Sequence, residues 1–400
     1  MTKGFSTTLI HGGEGKAASL TTPVYQTSTF VFESAAEIER YNAGDSSAFL
    51  YSRYGNPTVV AAEEKLAVAD GAEASLLFGS GMAAASTLLL GLLQAGDEVV
   101  CSAAVYGGTV QLLSEFLPRF GLTSRFVSTD DLREPSRVVG DRTRVLWFES
   151  PTNPTLRCVD IANVVSVCRE RDVVSVLDNT FASPVNQRPL EMGVDVSVQS
   201  ATKYLNGHSD VTAGVLSSRR ELIRVVEMAR RTLGGVLDPQ SAFALMRGLK
   251  TLPVRMARHN SSALAVASAL EGHPHVVRVH YPGLTSHPDH ALATRQMSGF
   301  GGIVTLDLVG GQPAATVAFD ALRLVKRAVS LGGVESLCSL PVLTSHAGRT
   351  ETQLAAAGVS RGMLRFSIGL EDPEDVLADI VQAISGPVSV PADAGAGSGA

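Results

Sequence analysis

The chain has 400 residues, 45% of them hydrophobic and 18% charged, with a formal net charge of −6 and a pI near 5.9. That length exceeds what one core ordinarily fills and predicts two domains, or one large domain with an appendage. The weakly acidic balance gives no basic footprint for nucleic acid or an anionic membrane surface.

Residues 1–55 are Gly- and Thr-rich with little periodicity, and they read as an arm laid over the body or over a neighbouring subunit. Their first residues, Met1-Thr-Lys-Gly-Phe-Ser, lack the apolar segment of a secretory signal. Residues 74–96 carry no charge, but Gly79-Ser-Gly81 interrupts them, so a strand, a turn and a helix are predicted there in place of a membrane span. From 56 to 245, short apolar runs alternate with helical stretches. Strands are predicted at 75–78, 98–101, 144–148, 173–177 and 194–199, with a helix at 157–171. Such alternation predicts an α/β fold, a mainly parallel sheet flanked by helices, with ligands beyond the carboxyl ends of the strands. A helical stretch over 240–271 leads into a smaller α+β C-terminal domain, 246–386, with strands at 302–308 and 363–368. Residues 387–400, rich in Ala, Gly, Ser and Pro, predict a disordered tail. Cys101, Cys158, Cys168 and Cys338 form no CxxC pair and read as core residues of a cytoplasmic protein. His273, His275, His280, His287 and His290 crowd a Pro-containing segment read as an irregular surface loop, and no metal is expected.

The chemistry concentrates after the predicted strands. The run 173–177 delivers Asp178, a carboxylate that a buried strand end leaves in need of a cation. The next strand ends in Ser200-Ala-Thr-Lys203, placing two hydroxyls and an amine at the adjoining terminus. A pyridine cofactor accounts for all three: Lys203 carries it as a Schiff base, Asp178 keeps its ring nitrogen protonated, and the hydroxyls hold phosphate. Gly79-Ser-Gly-Met82, opening a helix, adds backbone N–H groups for the phosphate. Tyr106, again just past a strand, can stack on a ring and act as an acid.

These residues recur in an order that resembles the cystathionine and methionine lyase/synthase family of fold-type-I pyridoxal 5'-phosphate (PLP) enzymes, over roughly residues 5–385. The matching segments are Tyr51-Ser-Arg-Tyr-Gly-Asn-Pro-Thr58, Gly79-Ser-Gly-Met82, Tyr106-Gly-Gly-Thr109, Glu149-Ser-Pro-Thr-Asn-Pro-Thr155, Asp178-Asn-Thr-Phe181, Ser200-Ala-Thr-Lys-Tyr-Leu-Asn-Gly-His-Ser-Asp210, Ser330-Leu-Gly-Gly333 and Arg365-Phe-Ser-Ile-Gly-Leu-Glu-Asp372. The resemblance implies that Gly81, Met82, Ser200 and Thr202 hold the phosphate, and that Tyr51 and Arg53 reach it from a neighbouring subunit of a homotetramer with shared active sites. It further implies that Tyr106 stacks on the ring, Asp178 meets its nitrogen, Asn153 lies near its hydroxyl, and Ser330 and Arg365 take the substrate α-carboxylate.

The resemblance implies an amino-acid substrate, and three positions bear on which one. Where family members handling cystathionine typically carry Glu, an acidic residue and Arg, this chain has Val329, Leu50 and Gln111. Little is left to pair with a distal ammonium and carboxylate, so a short thioether such as methionine fits better. The expected reaction is γ-elimination by a methionine γ-lyase-like enzyme. Cystathionine γ-lyase, cystathionine γ-synthase and O-acylhomoserine sulfhydrylase activities are the alternatives, and an inactive PLP-binding regulator is the non-enzyme one. Gly108 departs from the methionine γ-lyases, which have Cys at that position.

Overall fold

A computed structural model describes residues 4–13, 19–45 and 47–386; the expected tail, 387–400, lies outside the described residues. Seven strands form the larger sheet: β1 (Ala74–Phe78), β2 (Glu98–Ser102), β3 (Thr123–Val127), β4 (Thr143–Glu149), β5 (Val174–Asp178), β6 (Val196–Ser200) and β7 (Gly214–Ser218), in the order β1-β7-β6-β5-β4-β2-β3. Strands β2 to β6 pair in parallel and β7 alone runs against its neighbours, so the sheet is mainly parallel.

The apolar runs alternate in direction because successive strand residues face opposite sides. Cys101, Val145, Trp147, Val176 and Val198 pack under the helix Gly81–Leu92. Val100, Leu146, Phe148 and Leu177 pack against the helix Ile161–Glu170 on the other face. That helix begins later than the predicted 157, because Asp160 caps it by accepting from the Asn163 N–H at 3.2 Å. All four cysteines are buried.

The predicted helix over 240–271 is two helices, Pro239–Lys250 and Leu252–Leu270. Pro253 has no N–H to continue the first helix and sits instead in the first turn of the second. The second helix bridges two cores: Leu252 and Met256 join the cluster beside β1 and β7, while Ala263, Val266 and Leu270 join that of a second sheet. This sheet comprises β8 (Val276–His280), β9 (Ile303–Leu308), β10 (Lys326–Arg327), β11 (Leu337–Ser339) and β12 (Met363–Ser367), in the order β10-β11-β12-β9-β8.

The segment read as an arm contains two short helices, Phe5–His11 and Ala35–Asn42, and one expectation is corrected. The histidine-rich segment is not all surface loop: His280 closes β8, and both His280 and His287 are buried, which pushes their imidazoles down to about 4. Among the described residues no cluster suited to a metal ion forms, and no helix is long and apolar enough to cross a membrane.

Candidate active site

The carboxyl ends of β4, β5 and β6 converge, as a parallel sheet requires of its ligand crevice, on a cavity of about 530 Å³. Its wall includes Gly81, Met82, Tyr106, Asn153, Asp178, Ser200, Thr202, Lys203, Val329, Ser330 and Arg365, all sequence-predicted, together with Glu149, Thr180, Phe181 and Ser345, to which the sequence reading gave no role.

Lys203 lies in the turn that follows β6. Its Nζ donates to the Ser330 Oγ at 2.6 Å, and burial, helped by the nearby Arg365 charge, lowers the amine to about 8. Behind it, Arg255 donates to the carbonyls of Tyr204 at 2.7 Å, Leu205 at 3.3 Å and Gly248 at 2.8 Å, which fixes the turn.

Asp178 ends β5 and accepts from the Thr180 N–H at 3.0 Å. In register beside it on β4 stands Glu149, which accepts from the Tyr106 N–H at 2.7 Å. Burial raises both carboxyls above their ordinary range, and for Glu149 the neighbouring Asp178 adds to the effect. Two adjacent acids in a poorly solvated wall call for a cation.

At the other end, the helix Gly81–Leu92 presents its N-terminus. Ser80 caps it, accepting from the Ala83 N–H at 3.0 Å, and Gly81 and Met82, whose N–H groups have no partner inside the helix, line the cavity. Gly81 lets this turn lie close to β6: a Cβ would stand 3.2 Å from that of Ser200, a tight contact that one of them would have to relieve. Thr202 is tied to Ala213, accepting from its N–H at 2.9 Å and donating to its carbonyl at 3.2 Å. Arg365 is buried: Nη1 donates to the Asn153 Oδ1 at 2.9 Å and Nη2 to the Ser330 carbonyl at 3.2 Å, while its Nε has no partner among the described residues.

Four predicted residues stand outside this wall. Arg53 donates to the Arg231 carbonyl at 3.0 Å and lies over the rings of Tyr54 and Tyr51. Tyr51 is exposed, and Leu50 precedes it. Gln111 is on the surface, donating to Glu115 at 3.2 Å. Thr180 and Phe181 were within reach of sequence, inside the quoted Asp178-to-Phe181 segment. Ser345, far along the chain, carried no signal.

The donor set fits PLP: an anion cradle of helix N–H groups and hydroxyls, a carboxylate for the ring nitrogen, and a partly desolvated amine for the aldehyde. Fold and site together define a PLP-dependent enzyme of α/β architecture. The family model described as Cys/Met metabolism PLP-dependent enzyme matches residues 6–385, and the chain belongs to that family. It is 43% identical to an L-methionine gamma-lyase of Pseudomonas deceptionensis, covering 95% of this chain and 97% of the relative. It is 40% identical to cystathionine gamma-synthase 1 (chloroplastic) of Arabidopsis thaliana, covering 94% and 68%. The crystal structure of metB from Corynebacterium glutamicum superposes with a TM-score of 0.89 at 37% identity, covering 96% and 98%.

Proposed function

We propose that the enzyme eliminates the γ-substituent of L-methionine, giving methanethiol, 2-oxobutanoate and ammonia with the uptake of one water. The observation that carries this reading is the charge distribution of the cavity. Among the described residues Arg365 is the one guanidinium on its wall, suited to a single α-carboxylate, and Val329 is 62% exposed at its edge. A substrate with a second amino-acid head would find no charged side chain at Val329 to recognise its distal groups, so nothing there selects for it.

When bound, the cofactor supplies an electron sink for charge developing at the substrate α-carbon. Asp178 holds the ring nitrogen's proton, and Ser330 and Arg365 orient the carboxylate. Lys203, as a free amine near pH 8, would take the α-proton and then a β-proton, whose C–H electron pair forms the β–γ double bond as the γ-sulfur leaves. Tyr106 stacks on the ring, and its phenol protonates the departing thiolate. The reading extends to an arm (1–55), a large domain (56–245) and a smaller one (246–386). It includes a cytoplasmic homotetramer in which Tyr51 and Arg53 reach a neighbour's phosphate, Leu50 and Gln111 border a neighbour's substrate, and Asn153 meets the ring hydroxyl.

The test is 2-oxo-acid release from L-methionine, L-cystathionine and an O-acylhomoserine, with the sulfur products identified. A higher kcat/KM for methionine is expected; negligible methionine turnover overturns the reading. One observation favours γ-replacement as the second reading. A Cβ at Gly108 would lie 2.6 Å from the Tyr106 ring, so no thiol stands there to help select methionine. Formation of a thioether from O-acylhomoserine and a thiol, faster than any elimination, would establish that second reading.

A further inference from the structure

Glu149 is used by nothing in the reaction described above, yet it is buried against the same cavity. It ends β4 directly beside Asp178 on β5. Its carboxylate accepts from the backbone N–H of Tyr106 at 2.7 Å and has the backbone N–H of Asn153 near enough to favour its charged form. These two backbones belong to different loops, one leaving β2 and one leaving β4. Asn153 in turn accepts from Arg365 at 2.9 Å. One side chain therefore connects the residue placed over the ring, the residue placed beside it and, through Asn153, the guanidinium placed on the substrate.

We propose that Glu149 is a positioning residue: its carboxylate fixes the Tyr106 and Asn153 loops relative to Asp178, setting the tilt of the cofactor ring and the reach of Arg365. A surface carboxylate capping a loop would leave both untouched. Burial strengthens the link, because an N–H that loses its acceptor inside a protein is left without water to replace it. A misplacement of about 1 Å in such a wall can cost on the order of a hundredfold in rate.

Holoenzyme variants test this by kinetics and by the visible circular dichroism of the bound cofactor, a signal that depends on ring orientation and not on which substrate is correct. Glu149→Gln keeps an oxygen at the same reach and drops the charge; Glu149→Asp keeps the charge and shortens the reach. The expected result is an altered dichroic band and about a hundredfold lower kcat/KM for Glu149→Asp, with Glu149→Gln, which keeps one acceptor oxygen at full reach, impaired less in both. Equal impairment of the two, or a Glu149→Asp enzyme with parental dichroism and kinetics, overturns the proposal. The inference rests on Tyr106 lying against the ring. Tyr106→Leu in the same spectra tests that separately, and an unchanged band there would remove Tyr106 and leave the link from Glu149 through Asn153 to be judged by KM.

Discussion

Lys203 and Ser330, 127 positions apart in sequence, are joined by a hydrogen bond of 2.6 Å from the amine to the hydroxyl. Ser330 makes this contact from a backbone with φ of 101°, a region that a residue with a Cβ occupies only when its surroundings hold it there. The Arg365 guanidinium supplies part of that hold by donating to the Ser330 carbonyl. Ser330→Ala removes the acceptor and leaves the strained backbone, and it is expected to lower kcat/KM roughly tenfold, the scale of one hydrogen bond to a charged group. Ser330→Gly loses the same hydroxyl but relieves the backbone. Equal kinetics in the two variants would show that the hydroxyl matters and the strain does not; parental kinetics in both would remove Ser330 from the mechanism.

The lowered Lys203 amine makes a pH prediction. Burial disfavours its charged form, and Arg365 adds to that, so it loses its proton near 8 where an exposed lysine would hold it to about 10.5. Only the neutral amine attacks an aldehyde. The rate at which cofactor-free enzyme takes up PLP should therefore rise through pH 8 and level off above it, as followed by the visible absorbance. Between about 8 and 10.5 the unfolded chain binds the extra proton, so this group's contribution to stability increases with pH across that window, while below it the full cost of burying a charge is present. A reloading midpoint still near 10 would show that Lys203 is solvated.

Much of this site was legible in the sequence because strand ends are. Asp178 closes a nearly continuous apolar run and Ser200 follows an alternating one, and a parallel sheet brings such ends together whatever the intervening helices do. Less legible was anything set by side chains meeting across the fold. Glu149 also ends a strand, but its partnership with Tyr106 spans 43 positions, and only the register of β4 against β5 places it beside Asp178. Ser345 reaches the cavity from a loop after β11 with no periodic pattern to announce it. The division of the 240–271 stretch was readable from Pro253, and apolar periodicity on both sides of it concealed the break.

Gly108 gives a prediction about shape. A Cβ there would lie 2.6 Å from the Tyr106 ring, closer than real contacts allow, and 3.0 Å from the flexible Met82 Sδ, a tight contact. The ring must turn away or the loop must move to admit any side chain. Gly108→Ala should lower kcat for elimination several-fold, on the order of 1 kcal/mol for a displaced catalytic acid, with cofactor content unchanged. Should Gly108→Ala match the parent on every substrate, Tyr106 is not confined as drawn, and its role as the acid at the γ-position loses its geometric support.

Arg365 decides how the substrate is held. Its two terminal nitrogens are anchored by the Asn153 side chain and the Ser330 carbonyl, and its Nε is buried without a partner among the described residues. The guanidinium is thus held in place with donor capacity left over, which is what a receptor for a planar carboxylate needs. Arg365→Lys keeps a positive charge but loses the fork: a single ammonium cannot reach Asn153, Ser330 and a carboxylate together. It should reduce kcat/KM about a hundredfold, mostly through KM, since orientation of the carboxylate is shared by ground and transition states. Removing the anchors also strands the Asn153 oxygen, at a cost of about 1–3 kcal/mol in stability, so a melting curve must accompany the kinetics. A raised KM in a variant that melts within a few degrees of the parent, roughly the effect of 1 kcal/mol, assigns the loss to substrate binding. A variant that melts normally with an unchanged KM would move the carboxylate site away from Arg365 and leave its buried charge without a function.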